Sequence, residues 1–411
     1  MAELKKYENG LSLIVLEEPA LSVTFAIMVG TGCINETEKT NGISHYIEHV
    51  NFKGTKNLTS FDISNKLEFL GSQYNAYTSM DTTCYHAQAL PENTEKTFAI
   101  MSDMVFNSTY LDEETAKEKG VIVEEINMSE DMPDDVCREL IANAYYGNDG
   151  YGRSILGTKE NVLSFTKQDV LNYLNDNYVA SNIVITFGGK ITMSEAEKLV
   201  EKYVLPFVKT GAKKPVPKHN VENKKQFLCK NKEIEQSHLF LAFPSHNILD
   251  ENKITSDIAD SILGSGMSSR LFMKVREELG LAYSVYSMCA RYVDTGTLNI
   301  YAGVSNENAE LCFNAIMETI LEAQKGITND EFEKVRNQLK AGSMFSQERS
   351  AVKVRLYAKY YLLTGELYNF DEKIKIIDTI TKDKVQDALN ALDFKNMSTA
   401  IVGNGVKPLK I

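Results

Sequence analysis

Short runs rich in β-branched and aromatic residues, bounded by Gly, Pro, Asn and Ser, recur along the chain and read as strands. Two of them, "SVTFAIMVG" (22–30) and "SHLFLAFPS" (237–245), set Ser22 over Ser237 and Phe25 over Phe240, 215 positions apart. The same offset lays "TKQDVLNYLNDNYVASNIVITFGG" (166–189) over "TKDKVQDALNALDFKNMSTAIVGN" (381–404), pairing Thr166 with Thr381, Val170 with Val385 and Gly188 with Gly403. Each of these reads as an amphipathic helix followed by a strand. "ENTEKTFAIMSDMV" and "NAELCFNAIMETIL" align Phe98 with Phe313 in two helical segments.

Between these anchors both halves repeat one order: strand, helix, a second helix ending near a glycine, two alternating strands, then two further helices. The strand pairs are "GSQYNAYTSMDTTCYHAQAL" after Gly71 and "LAYSVYSMCARYVDTGTLNIYAGV" after Gly280. Hairpins joined through pairs of helices predict an α+β class, with two homologous domains that each carry a largely antiparallel sheet covered by helices on one face. The expected boundaries are residues 1–208, a Lys- and Pro-containing linker at 209–226, and residues 227–411. A chain of 411 residues suits two domains of roughly 200 residues each.

Composition narrows the setting. No run approaches the ~20 apolar residues of a membrane span, and the first residues lack a secretory cleavage pattern, so a soluble cytoplasmic protein is expected. Six scattered cysteines without a C-x-x-C pair argue against a disulfide framework or a thiolate zinc site. A net charge of -12 disfavours nucleic acid and anionic membranes as partners and weakly favours basic peptides.

The segment "GISHYIEHVNFKGT" (42–55) concentrates chemistry. On a helix, His45, Glu48 and His49 fall within an arc of about 100°, while Ile43, Ile47 and Val50 cluster opposite. Two imidazoles one turn apart can share a tetrahedral zinc ion, and an adjacent carboxylate can accept a proton from activated water. H-x-x-E-H is the inverted zincin pattern. A third ligand is expected on "TAKEKGVIVEEINMS" (115–129), where Val121, Ile122 and Ile126 mark a buried stripe that includes Glu118 and Glu125, with Glu124 turned away. Carboxylates on a buried face require partners, and metal coordination or a bond to a ligating histidine would supply them. On these residues alone a polar helix face and a helix–helix salt bridge stay open. The second copy serves as an internal control: His45, Glu48, His49 and Glu125 lie over Asp260, Leu263, Gly264 and Lys340, so repetition of the fold does not require them.

Over nearly its whole length the chain resembles the pitrilysin, or insulin-degrading enzyme, family of zinc peptidases, in particular its bacterial branch similar to the β subunit of mitochondrial processing peptidase. The likeness rests on "HYIEHVNFKGT", on Glu125 76 residues beyond His49, and on "GSGMSSRLFMKVREELGLAYSV" (264–285). It implies a zinc-dependent endopeptidase with one zinc per chain, bound by His45, His49 and Glu125, with Glu48 as general base and Glu118 orienting a ligand histidine. The resemblance also implies that peptide substrates add as a strand along "SQYNAYTSMDTTCYH", with Asn75, Ala76 and Tyr77 in contact. Arg276 and Tyr283 would reach the substrate from a facing domain; by composition alone they would be a solvated helix residue and a core aromatic. Because relatives enclose substrate between two such units, a homodimer, or pairing with a related second subunit, is expected. A non-catalytic scaffold subunit is the alternative, although such chains have usually lost a ligand or the base. The small zinc lyase of quorum signalling, which shares the inverted pattern, is far shorter and not duplicated. Asn51 departs from the family, where an apolar residue is frequent.

Overall fold

The strand-like runs assemble into two sheets. β1 (Glu3–Lys6), β2 (Ser12–Glu17), β3 (Val23–Val29), β4 (Gln73–Thr78), β5 (Thr83–Ala89) and β6 (Ile183–Gly189) are ordered β1-β2-β6-β3-β5-β4. β7 (Phe227–Asn231), β8 (Gln236–Ser245), β9 (Ala282–Arg291), β10 (Gly296–Ser305) and β11 (Ser398–Gly403) are ordered β7-β11-β8-β10-β9. With β1 set aside the orders correspond strand for strand. Each sheet contains one parallel pairing, β2 with β6 and β7 with β11, among antiparallel ones. The duplication read from the 215 offset is therefore a duplication of topology.

The computed structural model describes residues 2–409 and resolves into two units. The first comprises residues 2–127, 154–218 and 345–368, and the second residues 128–153, 219–344 and 369–409. Neither is a contiguous half of the chain as the ranges 1–208 and 227–411 describe it, because each half contributes a helix to the other unit. Among the described residues no helix is long and apolar enough to cross a membrane.

In the first unit, alternate strand residues serve opposite faces, as the period of a strand dictates. Leu13, Val15, Phe25, Ile27, Tyr85 and Phe187 join the main core, which is built with α1 (Ile43–Val50), α2 (Ser60–Phe69) and α3 (Thr94–Phe106). Ile14, Leu16, Ala26, Met28, Cys84 and Val184 point the other way, against Val354, Tyr357, Ala358 and Tyr361 of the helix Ser350–Thr364. In the second unit, α5 (Pro133–Tyr146), which follows α4 (Asp112–Asp131), packs on β8 and β11, where the Cys137 thiol approaches the His238 carbonyl at 3.0 Å. Each sheet thus carries the expected helical layer on one face and an exchanged helix on the other.

Candidate metal centre

α1 is built from its N-terminus. Gly42 has φ +96°, and a Cβ there would stand 2.8 Å from Gly157 Cα, so only glycine serves. Glu36, fully buried, takes the place of an N-cap side chain: its carboxylate accepts the N–H groups of Gly42 at 2.8 Å and Ser44 at 2.9 Å and the Asn41 amide at 3.0 Å. Ile43, Ile47 and Val50, each at most 1% exposed, then anchor the opposite face in the core.

Burial pushes the Glu36 carboxyl up to about 7 against those three donors. A carboxyl raised in the fold stabilises it fully below the unfolded value near 4.5 and loses that contribution as pH rises through about 7. Relative to Glu36→Gln, the wild type should therefore lose stability between those values, by at most about 3 kcal/mol. Urea titrations of both proteins across that range measure it; a pH-independent difference would contradict the assignment.

On the polar face of α1, His45 and His49 converge with Glu125 of α4. His45 Nε2 lies 3.6 Å and His49 Nε2 3.4 Å from Glu125 Oε2, and one ligand atom from each residue lies within 4.8 Å of the others. Three donors bonded tetrahedrally to zinc at about 2.0–2.1 Å sit about 3.4 Å apart, so the two imidazole–carboxylate spacings fit such an ion. The other nitrogen of His49, Nδ1, bonds Glu118 Oε1 at 2.8 Å, and Lys53 Nζ binds Glu118 Oε2 at 2.6 Å. Glu118, 5% exposed, thereby fixes the His49 ring with Nε2 toward Glu125.

The charges fit the same use. Burial, reinforced by His49, lowers His45 to about 4, which keeps it in the neutral form a metal requires. Burial would also lower His49, but its bonds to Glu118 and Glu125 outweigh it and raise it to about 9. Burial works to raise Glu118, but His49 and Lys53 outweigh it and hold that carboxyl below its usual range; the bond from His49 does the same for Glu125 against burial. Because a ligating imidazole must be neutral, metal binding at His49 would displace the proton that these bonds favour.

Glu48, one residue before His49 and half-buried, accepts the Thr78 hydroxyl at 2.6 Å. Burial raises its pKa against that bond, which suits a group that must take up a proton.

α4 departs from the expected stripe at one position. Thr115, Glu118, Ile122 and Ile126 form its buried face, whereas Val121 is 53% exposed. Glu125 is half-buried at the edge of that face and Glu124 is exposed. Asn51 is fully buried and satisfied, donating to Tyr85 Oη and accepting from Tyr110 Oη, both at 2.8 Å, which explains a polar residue at that site. In the second unit, the position over His49 is closed: a Cβ on Gly264 would stand 2.4 Å from Ser287 Oγ.

Asn75, Ala76 and Tyr77 lie on β4, the edge strand of the first sheet, and Asn75 Oδ1 accepts the Ala76 N–H at 2.8 Å. Arg276 and Tyr283 form a pair in the second unit. The guanidinium lies 4.8 Å from the Tyr283 ring centroid and donates to the Tyr283 carbonyl at 2.9 Å, and Tyr283 is 80% exposed rather than a core aromatic. Sequence reasoning missed Glu36, Lys53 and Thr78. The one signal available was Lys53, four residues beyond His49, a spacing that would share a face on a continuous helix, although α1 ends at Val50 and Lys53 closes the 3-10 turn Asn51–Lys53.

Residues 13–159 match the insulinase domain of peptidase family M16, and residues 164–339 match the domain described as the peptidase M16 inactive domain. A protein described as an uncharacterized zinc protease of Bacillus subtilis is 36% identical over 406 residues, covering 97% of this chain and 98% of that protein. Another so described from Rickettsia felis is 32% identical over 406 residues, covering 97% of each. Two solved structures share the fold. The peptidase M16 inactive domain from Pseudomonas fluorescens has a TM-score of 0.92 at 19% identity, covering 99% of both chains. A protease from Helicobacter pylori has a TM-score of 0.92 at 21% identity, covering 98% of this chain and 99% of its own.

Proposed function

The chain belongs to peptidase family M16, the insulinase family, and from that premise we propose that it is a zinc-dependent endopeptidase, holding one zinc per chain on His45, His49 and Glu125. The observation that carries this is the convergence of those three donors beside a half-buried Glu48 whose affinity for a proton burial raises. Bound there, zinc would polarise the scissile carbonyl and acidify a water. Glu48 takes the proton from the attacking water and returns it to the departing amine, while Glu118 keeps His49 oriented. The peptide lies along β4 as an added strand, held by backbone bonds at Ala76 after the Asn75 side chain gives up the Ala76 N–H, with Asn75 and Tyr77, whose backbone groups face β5, in side-chain contact. Arg276 and Tyr283 contact substrate at the zinc of a facing subunit, in a homodimer or with a related second chain.

The test is mass spectrometry of products from a basic peptide library, with and without chelator, on protein whose mass is followed by light scattering. Cleavage that chelator abolishes is expected. Intact peptides with zinc bound would place the chain among non-catalytic subunits, and a monomer in an active preparation would remove the dimer.

A further inference from the structure

Glu48 is held from a direction the metal ligands do not share. Thr78 Oγ1 donates to Glu48 Oε2 at 2.6 Å, the length of a charge-assisted bond from a hydroxyl to a carboxylate. Thr78 is the last residue of the edge strand β4, paired with Thr83 across the hairpin. The turn that follows is braced on several sides. Ser79 N–H reaches the Thr82 carbonyl at 2.8 Å, and Ser79 Oγ donates to Asp81 Oδ1 at 3.0 Å. Asp81, 3% exposed, is bound by Lys359 Nζ at 2.8 Å, from the helix Ser350–Thr364. The Ile34 N–H closes on the Met80 carbonyl at 2.9 Å. The hydroxyl that grips Glu48 is therefore fixed to the sheet on one side and to the exchanged helix on the other.

We propose that Thr78 is a positioning residue for peptide hydrolysis, its hydroxyl holding one carboxylate oxygen of Glu48 so that the other is presented for proton transfer; this rests on Glu48 as the base. A carboxylate on a three-bond side chain has rotamers to lose, and one short charge-assisted bond selects among them. Because Thr78 ends β4, the strand along which the peptide backbone would lie and the group that would receive the proton are fixed by one residue. The alignment needed for proton transfer is then present before the peptide arrives, so its loss should fall on turnover rather than on binding.

Thr78→Val keeps the β-branch and the strand preference while deleting the donor, and Thr78→Ser keeps the donor. With a fluorogenic peptide, Thr78→Val should lower kcat about 10- to 100-fold, the loss expected for one hydrogen bond to a charged group. KM, zinc content and melting temperature should stay close to wild type, and Thr78→Ser should restore most of kcat. Added to Glu48→Gln, Thr78→Val should cost nothing further, since it acts through Glu48. Unchanged kcat in Thr78→Val, a Ser variant as impaired as Val, or a kcat loss that follows lost zinc would each overturn the proposal. Retained turnover in Glu48→Gln would instead overturn the base assignment, and an inactive Glu48→Gln with an unaffected Thr78→Val would remove the positioning role alone.

Discussion

Glu48→Gln is expected to keep its zinc and lose peptide cleavage by about 10²- to 10⁴-fold, the share of rate that a positioned general base supplies. Glutamine has the size of glutamate, and its carbonyl oxygen can still accept the Thr78 hydroxyl, which now reaches Glu48 at 2.6 Å. The three donors that converge, His45, His49 and Glu125, are untouched, so metal content should not change. What disappears is a group that can bind and release a proton. The raised pKa of Glu48 sharpens the expectation: burial already presses this carboxyl toward its protonated form, so uptake of a proton relieves part of a cost the fold imposes. Turnover of a fluorogenic peptide together with metal analysis separates the outcomes. Undiminished turnover with zinc present would remove Glu48 as the base.

Much of this architecture was legible in the chain because duplication prints every pattern twice. Phe25 and Phe240 lie inside matching strands β3 and β8, and the two alternating segments became β4 with β5 and β9 with β10. The polar face of α1 was legible for a different reason: Ile43, Ile47 and Val50 mark the core side, so the remaining arc had to face elsewhere. Family membership followed from residues at those same positions, at the level of family M16.

What escaped were relations that periodicity does not encode. α5 shows an apolar stripe through Val136, Cys137 and Ile141, but a stripe does not say which sheet it covers, and this one crosses to the second unit. Val121 looked like part of the α4 stripe because it is apolar and adjacent to Ile122, yet one residue is a rotation of about 100°, enough to carry it to solvent. Thr78 and Glu48 are 30 residues apart on a strand and a helix, and threonine on an edge strand is unremarkable until its hydroxyl is located. Glu36 lies outside every periodic element it serves, because capping is a matter of chain geometry rather than of pattern.

The neighbouring carboxylates Glu124 and Glu125 give the second large effect. Glu125→Gln should weaken zinc binding by more than about 100-fold, beyond the 10- to 100-fold typical of residues that only support a ligand. Glu125 Oε2 stands 3.6 Å from His45 Nε2 and 3.4 Å from His49 Nε2, so the substitution exchanges a carboxylate donor for a weaker neutral amide and removes the negative charge that offsets the cation. Glu124, exposed one residue earlier on α4, carries the same formal charge at nearly the same place in the chain. If long-range attraction from an acidic helix were what retains the metal, the two substitutions would act alike, because screening treats exposed carboxylates at similar range alike. If direct coordination retains it, Glu124→Gln should leave affinity within about twofold, since an exposed charge beyond contact is screened by salt. Competition with a zinc chelator of known affinity, run at two salt concentrations, distinguishes these cases: equal losses that shrink with salt would show that Glu125 acts through the field of the helix and not as a ligand.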